Sequence, residues 1–148
     1  MGMKNPVYMD HNATTAVRPE ARDAVALALA LTGNPSSVHG SGRTARRLVE
    51  DARDAVAALV GAEPAWVVFT SGGTESNNLA IKGVADGSAK RHIITSMIEH
   101  KAVLDTCEYL AGQGFEITYL QPDSDGIVAP QTVAEAIRSD TLIVSIMH

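Results

Sequence analysis

The chain has 148 residues, 45% of them hydrophobic, which is enough for one medium domain with a core of its own. A formal net charge of −5 and the lack of any long basic run argue against nucleic acid as a partner. Cys107 is the single cysteine, so an internal disulfide is excluded and a reducing, cytoplasmic setting is expected. No apolar run reaches membrane-spanning length, the longest being residues 24–31, and no secretion signal is visible, so no membrane role is expected.

Residues 7–9 form a short extended piece, followed by a polar loop at 10–15 that has the composition of Asx-type turns. A helix is expected from Pro19 to a stop at Gly33, with Ala24, Val25, Leu27, Ala28 and Leu31 making it largely apolar. Residues 33–42 are the longest turn-rich stretch, and composition leaves open whether they are a surface connection or a functional loop. An amphipathic helix is expected over 44–60, with a stripe through Leu48, Val49, Val56, Leu59 and Val60 and a stop at Gly61. Its arginines, interleaved with Glu50, Asp51 and Asp54, read as a solvated, salt-bridged face.

The next stretch organises the rest. Residues 66–70 have strand composition and run into Ser71-Gly72-Gly73-Thr74, after which Leu79, Ile81 and Val84 continue at helical spacing. A strand, a glycine turn and a helix start leave backbone N–H groups free at the positive end of the helix dipole, where an anion such as a phosphate is favoured. Two adjacent glycines permit close approach, and Thr74 adds a hydroxyl. The alternative is an ordinary tight turn capped by Ser71 or Thr74. It is not a Walker loop, since no Lys follows the second glycine, and it lacks GxGxxG spacing.

A strand over 91–97, a helix over 101–113 and a strand over 115–120 follow, then a turn at 123–126. Thr132 and Glu135 form a capping-box pattern that opens a short helix to about residue 138, and a last strand covers 142–147. Alternating strands and helices with short connections imply an α/β fold, a mostly parallel sheet with helices on both faces. The chain stops on its last strand, so a truncated polypeptide is expected.

Ligands of such sheets sit beyond the carboxyl ends of the strands, where Thr74, His100 and His148 fall. Taken alone, His100 is more readily a helix cap or a satisfied, partly buried histidine than a functional group. The five histidines show no HxxxH or HExxH spacing, so no metal site is expected, and Cys107 lies on an apolar helix stripe as a buried structural thiol.

Four motifs, residues 8–15, 33–39, 69–78 and 98–104, together closely resemble the cysteine desulfurases of the NifS/IscS group. That group lies within the class V pyridoxal-phosphate aminotransferases. The resemblance implies the PLP-dependent transferase fold type I, aspartate aminotransferase-like, of which this chain holds the first half of the large domain. Residues 1–15 then belong with the small domain and 16–148 with the large, PLP-binding one. It implies that Gly73 and Thr74 bind the phosphate of pyridoxal 5'-phosphate, and that His100 stacks on the pyridine ring and helps move protons. Residues 34–39 match a loop near the active site of the family dimer.

The family's activity is conversion of L-cysteine to L-alanine, with sulfur passed to an enzyme cysteine as a persulfide and on to iron–sulfur cluster assembly. The implied partners are L-cysteine, a second copy in a homodimer, and an iron–sulfur scaffold or other sulfur acceptor. The cofactor-binding lysine, the aspartate at the pyridinium nitrogen, the substrate-binding arginine and the nucleophilic cysteine match positions beyond residue 148, so this chain alone is expected to be inactive. The alternatives are a related class V enzyme (selenocysteine lyase, cysteine sulfinate desulfinase or transaminase) and a non-catalytic truncated paralogue that binds a full-length partner.

Overall fold

A computed structural model describes residues 7–148. They divide into two compact units, Met1–Val68 and Phe69–His148.

In the first unit α1 spans Pro19–Leu29 and α2 spans Gly40–Val60. Pro19 supplies the fixed φ of a helix start, and α1 closes at Ala30, short of Gly33, with the Ala30 N–H donating to the Ala26 carbonyl at 3.3 Å and the Leu31 N–H to that of Ala28 at 3.1 Å. Helix α2 begins four residues earlier than its apolar stripe indicates. The His39 side chain accepts the Gly42 N–H at 3.3 Å and caps it, a signal that periodicity does not carry. Gly61 ends the helix in the left-handed conformation with φ 65°, as expected of a glycine stop.

The loop over 33–42 is packed and not merely a connection. Asn34 Oδ1 accepts the Ser36 N–H at 2.8 Å and its carbonyl accepts the Ser37 N–H at 2.9 Å. A Cβ on Gly42 would collide with the Ser37 carbonyl, so glycine is required at that crossing. Arg46 donates to the Pro35 carbonyl at 2.8 Å and Arg43 to that of Val38 at 2.5 Å. These two arginines therefore hold loop backbone, which corrects their reading as a salt-bridged face, whereas Arg53 pairs with Glu50 at 3.0 Å.

The strand expected at 66–70 does not form. Pro64–Trp66 is a single 3-10 turn, and Val67 is extended with φ −84° and ψ 123° but belongs to no ladder. Pro64 opens the turn without an N–H, and the Val67 carbonyl accepts the Arg53 guanidinium in place of a strand neighbour. Strand composition requires a partner edge before it becomes a strand.

The second unit contains α3 (Gly73–Ala85), β1 (His92–Ser96), α4 (Lys101–Ala111), β2 (Glu116–Leu120), α5 (Pro130–Ala136) and β3 (Thr141–Ser145). The strands lie in the order β2-β1-β3 and both pairings are parallel, as the alternating pattern predicts. Ile93 faces Ile117 on one side and Ile143 on the other, with an irregularity in the β1–β3 register between His92 and Ile93. Every residue of β1 is buried, since the central strand of a parallel sheet has neighbours at both edges and on both faces. Ile81 and Ala85 of α3 meet Val103, Cys107 and Leu110 of α4 over Ile93, forming the core.

Helix α5 starts at Pro130 and not at the Thr132 capping box. Glu135 accepts the Gln131 amide at 2.8 Å instead of reaching a helix-start N–H, because a proline in the first turn sets the start upstream.

Candidate active site

Helices α3 and α4 both start on the carboxyl side of the sheet. Helix α3 ends shortly before the amino end of β1, and α4 starts shortly after its carboxyl end, so their first turns share one side. Gly73 and Thr74 open α3, and His100 caps α4.

The turn before α3 is fixed by its own side chains. Ser71 donates to Glu75 Oε2 from its N–H at 2.6 Å and from its hydroxyl at 2.7 Å. The Thr70 and Ser76 hydroxyls are 2.6 Å apart, and each lies 3.2 Å from the Gly72 carbonyl. Those two hydrogen bonds from Ser71 hold the Glu75 carboxyl below its ordinary value, the hydroxyl contributing most. Neither Ser71 nor Thr74 caps the helix: the cap is Gly72, with no side-chain bond. The first bond of the ladder runs from the Ser76 N–H to the Gly72 carbonyl at 3.1 Å, which leaves the Gly73, Thr74 and Glu75 amides ahead of it. A Cβ built on Gly72 or Gly73 meets no protein atom within 4 Å. Internal packing thus does not demand these glycines, and the space around them is open. That donor set and that open approach fit a phosphate group.

His100 accepts the Ala102 N–H on Nδ1 at 3.0 Å. The capping reading of this residue is therefore correct, and it leaves the residue exposed with Nε2 outside the cap bond. Capping and chemistry are compatible here, because the cap bond orients the ring.

Glu99 is a residue that sequence reasoning missed. It is 8% exposed and its carboxylate accepts the Met147 N–H, which ties the segment after β3 to the turn before α4. A Glu beside a His at a strand end was the available signal. His148 lines a cavity of about 400 Å³ beside Ser96, Ile98, Ile127 and Met147, at the carboxyl ends of the strands. Gly73, Thr74 and His100 do not line that cavity. Cys107 is fully buried, and its thiol is pushed up by that burial and then by the Glu99 charge, which agrees with a structural role. No group of three or more metal-ligating side chains occurs among the described residues.

The chain is 51% identical over 152 residues to the cysteine desulfurase IscS of Azotobacter vinelandii, covering 99% of this chain and 38% of that protein. It is 50% identical over 149 residues to the IscS of Dictyoglomus turgidum, again covering 99% and 38%. The chain thus spans 38% of the length of these curated relatives. Among solved structures, SspA in complex with cysteine is 42% identical with a TM-score of 0.89, over 94% of this chain and 41% of that one. DndA from Streptomyces lividans is 48% identical with a TM-score of 0.82, over 96% and 41%. The fold is that of the type I pyridoxal-phosphate enzymes, of which a portion is present. Residues 7–148 match the aminotransferase class-V family, and the chain belongs to it.

Proposed function

We propose that this chain is the amino-terminal portion of a pyridoxal-phosphate-dependent cysteine desulfurase. The complete enzyme takes sulfur from L-cysteine, leaves L-alanine, and passes the sulfur to an acceptor protein for iron–sulfur cluster assembly. The observation that carries this reading is the open, amide-lined start of α3 at Gly73 and Thr74, in a chain so similar to IscS along nearly its whole length.

When bound, the cofactor supplies an electron-withdrawing ring that stabilises negative charge on the substrate carbon. The Gly73 and Thr74 amides and the Thr74 hydroxyl bind its phosphate, and the dipole of α3 adds to their attraction. The Ser71–Glu75 bonds keep that turn in place before the ligand arrives. His100 would lie beside the bound cofactor ring, and because Nδ1 is engaged by the Ala102 N–H, it would hold a proton at Nε2. In this reading residues 1–15, of which 1–6 lie outside the described residues, belong with the small domain, two copies form a homodimer, and the enzyme works in the cytoplasm.

The test joins this chain to the carboxyl-terminal portion of the Azotobacter vinelandii IscS and measures alanine formed from L-cysteine. The chimera is expected to turn over, and His100→Ala and Thr74→Val to lower the rate by about tenfold or more. A folded chimera that binds pyridoxal phosphate and forms no alanine would sink the reading.

A further inference from the structure

A cavity of about 530 Å³ in the second unit lies at the opposite end of the sheet from Gly73 and His100. It opens between the last turns of α3 and α4 and the residues that lead into β1 and β2. Its apolar surface comes from Ala85, Leu110 and Phe115, all buried in the core. Two cations stand over it. Lys82 Nζ sits 4.4 Å from the centre of the Tyr109 ring, and the Arg91 guanidinium sits 4.8 Å from that of Phe115. Arg91 also donates to the Ser88 carbonyl at 2.6 Å, so aromatic faces and backbone place both charges. Neither is in a salt bridge among the described residues, although Asp86 lines the same cavity.

Gly83 is a second and independent sign. It lies inside α3, where glycine weakens a helix relative to alanine. A Cβ there would meet no protein atom within 4 Å, so packing does not require the glycine. It lines the cavity beside Lys82 and Arg91.

We propose that this cleft binds a small phosphorylated ring compound of nucleoside-monophosphate size. The ring rests on Leu110 and Phe115, the phosphate meets Lys82 and Arg91, and Asp86 and Gln113 take hydroxyl or amino hydrogens. The volume lies within the range of small-ligand sites, and two cations without acidic partners favour a dianion.

The test follows the amide spectrum of the 148-residue chain by NMR as adenosine monophosphate is added, with adenosine and inorganic phosphate as separate arms. Saturable shifts at Gly83, Gly87, Arg91 and Gln113 are expected, with neither half-molecule matching the whole. Lys82→Gln and Arg91→Gln should each weaken binding by about tenfold. Gly83→Ala should raise the melting temperature and yet weaken binding, which separates occupancy of the cleft from folding. No shifts up to about 10 mM, shifts confined to residues 72–77, or equal binding by Gly83→Ala would overturn the proposal. Inorganic phosphate acting as strongly as the nucleotide would overturn it too, leaving a simple anion site.

Discussion

The buried carboxylate of Glu99 accepts the backbone N–H of Met147, so the segment leaving β3 is bonded to the turn that presents His100. Two pieces of chain far apart in sequence thereby share one position at the carboxyl side of the sheet. Replacing Glu99 with Ala leaves the Met147 N–H without its charged acceptor, and the expected cost is about 1.5–3 kcal/mol in urea unfolding. Glu99→Gln keeps an acceptor oxygen and should cost less. Hydrogen exchange at Met147 should speed in the Ala variant only; equal exchange in both would show that the bond does not hold the segment.

A second knot joins all three strands. His92 is fully buried, with Nδ1 2.8 Å from Thr141 Oγ1 and Nε2 2.8 Å from Thr118 Oγ1. Thr141 Oγ1 also accepts the Arg138 N–H at 2.7 Å, so the ring, the two hydroxyls and that backbone N–H form one hydrogen-bonded network. His92→Leu strands both hydroxyls and should cost about 2–4 kcal/mol by urea unfolding, with Thr118→Val in the same background adding little.

At the start of α3, Gly73→Ala tests whether the glycine serves a ligand or the fold. No protein atom lies within 4 Å of the added carbon, so the melting temperature should hold or rise. Affinity for pyridoxal phosphate, read by equilibrium dialysis, should fall by about tenfold or more. A large loss of stability with unchanged affinity would assign the glycine to folding instead.

Acid should loosen the same turn. The folded Glu75 carboxyl lies below its ordinary value of 4.5, because it accepts two hydrogen bonds from Ser71. A depressed carboxyl contributes stability that is present above the unfolded value and is lost as pH falls through the folded one. The protection factor of the Ser71 amide, its exchange relative to the unfolded chain at the same pH, should therefore fall below the ordinary carboxylate range and stay flat from there to neutrality. Glu75→Gln should remove most of this dependence.

Cys107 should be silent to thiol reagents in the native chain. It is fully buried, and burial and the Glu99 charge both hold it as the neutral thiol. Labelling with a disulfide reagent is expected to track global unfolding across a urea series. Rapid labelling without denaturant would contradict the packing of α4 against β1.

The order of elements, the parallel sheet and the glycine-rich start of α3 are local matters. Apolar spacing, glycine stops and a Ser-Gly-Gly-Thr turn carry them in consecutive residues, so they are legible without coordinates. The resemblance of the four motifs placed Gly73, Thr74 and His100 in a family that the comparisons then matched. What residues 66–70 would do was not legible, because a strand exists only when a neighbour pairs with it and Arg53 takes the Val67 carbonyl instead. The early start of α2 was hidden for a similar reason: His39 caps it with a ring nitrogen, which no hydrophobic period records.

Sequence alone thus determined which segments are helix and strand along most of the second unit, and which residues form a phosphate-type turn, since both depend on neighbours in the chain. Only the tertiary structure decided that Glu99 meets Met147, that His92 ties three strands, and that Lys82 and Arg91 overlook one cleft. Those pairings join residues distant in sequence, and their energies come from burial and geometry that exist only once the sheet has formed.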